Sequence, residues 1–79
     1  MNIQKGSVVR ALAGRDKGGF FVVLDTDGPY ALIADGKRRK VQAPKRKSLK
    51  HLAPTAAVYH GAATTNPQIR KILKEFNGG

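Results

Sequence analysis

The sequence predicts a mainly β domain: a small barrel of four to five short antiparallel strands, followed by one C-terminal α-helix. Three observations carry that prediction. Runs rich in β-branched and aromatic residues, around Val8-Val9, Phe20–Leu24 and Tyr30–Ala34, are separated by clusters of glycine, aspartate and proline, which is how strands and turns alternate. Near the end the apolar spacing changes to three and four residues, at Ile69, Ile72, Leu73 and Phe76, the stripe of an amphipathic helix. With 79 residues and no cysteine, the chain has room for one small core and no disulfide framework to supplement it.

Residues 1–5 are a short lead-in. The first strand is expected over Ser7–Ala13, where Val8, Arg10 and Leu12 share one face and Val9, Ala11 and Ala13 the other. Both faces carry apolar groups, so the pattern alone does not choose the buried one. The loop Gly14-Arg15-Asp16-Lys17-Gly18-Gly19 follows. Its glycines accept positive φ without steric cost, which lets backbone N–H groups and cations crowd onto one edge. Phe20–Leu24 is apolar on both faces, the mark of a central strand covered on two sides. Asp25-Thr26-Asp27-Gly28-Pro29 is a cluster of turn formers that should end it.

Tyr30–Ala34 is the third strand. Asp35-Gly36 reads as the turn of a two-residue hairpin, returning a basic fourth strand over Lys37–Gln42 whose lysines suit a sheet edge. Pro44 interrupts that strand, Lys45-Arg46-Lys47-Ser48 reads as a loop, and Leu49-Lys50-His51-Leu52 as a last short strand or 3₁₀ turn. The barrel is thus placed over residues 1–52. Residues 53–65, rich in Ala and Thr without a clear period, read as a connecting segment that Val58 and Tyr59 could anchor. Residues 66–77 form the helix, with Asn66 as N-cap, Pro67 at the first helical position and Gly78 as terminator. Arg70, Lys71 and Lys74 should face solvent, with Lys71 one turn before Glu75. So short a helix is marginal alone, so its apolar stripe should pack on the barrel or on a partner, the barrel being favoured because so small a domain needs the burial.

Charge is the most informative bulk property. Fifteen Lys and Arg against five Asp and Glu give a formal net charge of +10, which favours polyanionic partners, nucleic acid foremost. Lys37, Arg38, Arg39, Lys40, Lys45, Arg46, Lys47 and Lys50 crowd into one stretch, and no carboxylate lies between Asp35 and Glu75. The positive potential is therefore concentrated. The N-terminus lacks the apolar core of a secretory signal, and Phe20–Leu24 is far too short to span a bilayer. A cytoplasmic monomer, with no membrane partner, is the expectation.

Catalytic and metal-binding constellations do not emerge. Asp25-Thr26-Asp27-Gly28 has its glycine too early for a calcium loop and no terminal glutamate. Two histidines without cysteine make a poor metal set. No phosphate-binding loop ending in Gly-Lys-Ser or Gly-Lys-Thr and no nucleophile elbow is present. A noncatalytic protein without cofactor or metal is expected.

Taken together, the chain resembles the KOW-motif proteins, whose motif is a short strand–loop–strand unit with a glycine in the loop. Gly6, Val8, Val9 and the loop Gly14-Arg15-Asp16-Lys17-Gly18 carry the likeness. It extends through the Asp25 and Asp27 region, Ala31-Leu32-Ile33-Ala34-Asp35-Gly36, Arg39-Lys40 and Lys50-His51-Leu52, so that it covers residues 5–52. It is closest to the KOW proteins of the archaeal and eukaryotic large ribosomal subunit and their small bacterial relatives. The helix resembles the tail of the bacterial members more loosely. One departure is Phe21, where many KOW motifs carry a second glycine.

The resemblance implies an SH3-like barrel that binds structured RNA, with the ribosome or translation as its setting. Ribosomal RNA is the implied partner, with ribosomal proteins or RNA polymerase as further ones. The candidate RNA-binding residues are Gly14, Arg15, Lys17 and Gly18 in the loop, then Lys37, Arg38, Arg39, Lys40, Lys45, Arg46, Lys47, Lys50 and His51. Arg15 and Lys17 would meet phosphates while Asp16 holds the turn. Phe20, Phe21 and Phe76 read as core, and Tyr30 and Tyr59 as possible base-stacking rings. This reading requires the loop and the basic segment to share one face. The alternative is a protein-interaction module of the transcription or translation machinery.

Overall fold

The computed structural model describes residues 3–59, 61 and 65–77. Five strands, β1 (Ser7–Ala11), β2 (Phe20–Asp27), β3 (Tyr30–Ala34), β4 (Lys45–Ser48) and β5 (Leu52–Val58), precede one helix, α1 (Asn66–Lys74). The strands make one antiparallel sheet in the order β4-β3-β2-β1-β5. This mainly β fold with a C-terminal helix fits the small SH3-like barrel expected, although the sheet is not closed. A 3₁₀ turn, Leu49–His51, joins the two edge strands.

The sheet buries both faces, which is why Val8-Val9 in β1 and Phe20–Leu24 in β2 are consecutive apolar residues. Val9, Ala11, Phe21, Val23, Ala31, Ile33 and Leu52 pack together on one face. Val8, Val22 and Ala34 lie on the other, beneath Ile69 and Leu73 of α1. Phe21 is in the first group at 3% exposure, a core residue as its reading from the sequence expects. Phe20 and Phe76 are half-buried beside the helix, their ring centroids 5.5 Å apart.

Four expectations need correction. The Asp25–Pro29 cluster does not end β2, which continues to Asp27; only Gly28 and Pro29 form the turn, with Asp27 paired to Tyr30. Gly28 has φ +57°, and a glycine first in a two-residue loop is what a type II′ hairpin uses. Leu24 lies at an irregularity in the β2–β3 register, and such a bulge bends the strand.

Residues 37–42 form no strand. The Asp35 carboxylate accepts the N–H groups of Lys37 and Arg39, both at 2.9 Å. The Arg39 carbonyl in turn accepts the N–H of Asp35 and Gly36. This side-chain-held loop outcompetes the hairpin ladder, and the edge strand is displaced to Lys45–Ser48, beyond Pro44, where a loop was expected.

The expected 53–65 connection contains β5. Its lack of period reflects a broken ladder: Val9 pairs Pro54 while Ser7 pairs Val58, and the Thr55 hydroxyl donates to the Val8 carbonyl at 2.8 Å. Finally, Thr65 rather than Asn66 caps α1, in a reciprocal capping box with Gln68. The freed Asn66 side chain accepts the Val41 N–H at 2.8 Å and donates to Gln42 at 2.9 Å, so it fastens the 35–44 loop to the helix. Gly78, the expected terminator, lies outside the described residues, and so does His60.

Candidate nucleic-acid interface

The β1–β2 loop is built on its own backbone. Ala11 N–H bonds the Gly19 carbonyl, Gly18 N–H the Ala11 carbonyl, and Gly19 N–H the Asp16 carbonyl. Gly14 at φ +78° and Gly18 at φ +87° occupy the left-handed region this path demands. Arg15 and Lys17 are exposed on the loop, whereas Asp16 between them is turned inward.

The loop and the basic segment meet. Asp16 pairs with the Arg39 guanidinium at 3.3 Å. The Lys47 ammonium donates to the Ala13 carbonyl at 2.7 Å. Leu12 N–H donates to the His51 carbonyl at 2.8 Å. The loop therefore adjoins the segment after β3, strand β4 and the 3₁₀ turn.

These contacts also divide the candidate residues. Arg15, Lys17, Lys37, Arg38, Lys40, Lys50 and His51 are exposed, and Lys45 is half-buried. Gly14 and Gly18 shape the loop. Arg39 and Lys47 are engaged internally: Lys47 is only 9% exposed, and its ammonium would lie 3.2 Å from a Cβ at Gly14. Burial of a lysine stem with the ammonium satisfied by a carbonyl suits an internal tie rather than a phosphate contact. Arg46 is exposed but lies over the Tyr30 ring at 4.0 Å and pairs with Asp27 at 3.5 Å. That is a cation–π stack at the β3–β4 edge. The sequence does not announce it, because Lys45-Arg46-Lys47-Ser48 carries no apolar alternation to mark a strand that would bring Arg46 beside Tyr30.

Two further cations were read only as solvent-facing. Arg70 donates to the Gly36 carbonyl at 2.8 Å, and Arg70 and Lys74 line a cleft with Lys37. The i, i+4 spacing of Arg70 and Lys74 was the available signal, but nothing in the sequence placed Lys37 opposite them. Among the described residues, no group of three or more His, Cys, Asp or Glu could hold a metal ion, and no helix is long and apolar enough to cross a membrane. No protein-family model matches the sequence, and no significant match exists among curated proteins.

Proposed function

We propose that this protein is a noncatalytic RNA-binding module that docks on structured RNA, ribosomal RNA foremost, in the translation apparatus of the cytoplasm. The observation that carries the reading is the junction of the glycine loop with the basic segment. Exposed Arg15 and Lys17 adjoin a stretch bearing exposed Lys37, Arg38, Lys40 and Lys50, and the carboxylate between Arg15 and Lys17, Asp16, is paired with Arg39. A cationic surface of this kind tracks phosphates. The alternative, a protein-docking module built on α1, is weakened because the apolar stripe of the helix is spent on Val8, Val22 and Ala34.

Filter binding to a structured RNA across a salt series tests the proposal. Contact with about five phosphates gives a log–log slope near −3.5 on single strands and steeper on a duplex. Arg15→Ala with Lys17→Ala should weaken binding while leaving the unfolding midpoint in place. Unchanged affinity would remove the loop from the interface. Cosedimentation with ribosomal subunits at rising salt, followed by crosslinking, tests the ribosomal setting, and competition between duplex RNA and duplex DNA tests the choice of polymer.

A further inference from the structure

A cleft of about 480 Å³ opens between the start of β2, the loop after β3 and helix α1, lined by Gly19, Phe20, Phe21, Asp35, Lys37, Arg70, Leu73, Lys74 and Asn77. Its volume lies within the roughly 300–1,000 Å³ typical of small-ligand sites. Its lining holds three cations and one carboxylate, and one oxygen of that carboxylate, Asp35 Oδ1, already accepts two backbone N–H groups. Its apolar part is the half-buried Phe20 ring with Leu73 beside it. Gly19 in the lining is closely packed: a Cβ there would come within 3.2 Å of the Phe21 ring and the Asp16 carbonyl.

We infer that this cleft receives one unpaired nucleotide of the bound RNA, its base against Phe20 and its phosphate between Lys37 and Lys74. The inference rests on the RNA-binding reading and deepens it. A bare phosphate site would have no use for the ring, and an acidic peptide would offer no flat apolar face to it. A nucleotide supplies a planar apolar surface next to a phosphate, which matches both halves of the cleft. Arg70 is already committed to the Gly36 carbonyl, so it fixes the loop that presents Lys37, while Lys37 and Lys74 are exposed.

The test compares two labelled RNA hairpins by fluorescence anisotropy, one fully paired and one with a single bulged nucleotide. The unaltered protein should bind the bulged hairpin about tenfold more tightly, the scale of one stacked base. Lys74→Gln, at a cation of the cleft outside the proposed phosphate-tracking surface, should shrink that preference while retaining affinity for the paired hairpin. Equal affinity of the unaltered protein for both hairpins would overturn the inference and leave general RNA binding standing. A preference undiminished by the Lys74 substitution would also overturn it. Binding to neither hairpin would defeat the RNA-binding reading itself, and the inference with it. The comparison of hairpins on the unaltered protein needs no variant to fold.

Discussion

Asp16 and Arg39, 23 residues apart in sequence, meet at 3.3 Å and tie the β1–β2 loop to the loop after β3. The Asp16 side chain is 9% exposed and the Arg39 side chain 32%, so the pair is better shielded than an ordinary surface bridge. Without Asp16 the guanidinium would be left part-buried, and its Nε is already buried without a partner. Asp16→Ala should therefore cost about 1–2 kcal/mol, between a surface pair and a buried one. Urea unfolding of Asp16→Ala, Arg39→Ala and the double variant checks this, and the double should lose less than the sum.

Lys47 should behave unlike its basic neighbours. Lys47→Met keeps the apolar stem and deletes the ammonium, leaving the Ala13 carbonyl without its 2.7 Å donor. A loss of about 1–3 kcal/mol is expected, with the salt dependence of RNA binding unchanged. Lys40→Met, at an exposed position, should do the opposite: stability within about 0.5 kcal/mol and a shallower salt slope.

Gly36 separates conformational strain from crowding. Its φ is +78°, and an added Cβ would stand 2.6 Å from the Asn66 carbonyl and 2.9 Å from Arg70 Cγ. Gly28, at φ +57°, has nothing within 4 Å of that position. Gly28→Ala should cost roughly 1–2 kcal/mol from backbone strain. Gly36→Ala should cost a further 1–3 kcal/mol or so from overpacking, seen as a lower urea midpoint.

Leu73 is 2% exposed beneath the helix, against Val8, Val22 and Ala34. Leu73→Ala should destabilise the whole domain by about 2–5 kcal/mol. One cooperative transition reported alike by circular dichroism and tyrosine fluorescence is the expected outcome. Separate loss of helix signal would show that α1 is not part of the cooperative unit.

The fold class, the central strand and the helix stripe were legible because local pattern and tertiary burial agree there: Phe20–Leu24 is apolar throughout and covered on both faces. The fourth and fifth strands were not legible, for different reasons. Lys45–Ser48 reads KRKS, and its inward position is filled by a lysine whose ammonium finds the Ala13 carbonyl, a partner no pattern of polar and apolar residues announces. Leu52–Val58 contains Pro54 and a register break sealed by the Thr55 hydroxyl, which erases the alternation of a strand. The candidate site was legible as a set of cations but not in its division of labour. Whether an arginine such as Arg39 faces solvent or Asp16 depends on how two distant loops fold together.

The interior lysine has a practical consequence for chemical footprinting. Amine-reactive reagents should modify Lys17, Lys37, Lys40 and Lys50 on the free protein and pass over Lys47, since it is 9% exposed and hydrogen-bonded. Its silence, if taken for protection by RNA, would draw a binding footprint one strand too wide; its sudden reactivity would instead report that β4 had come away from the loop.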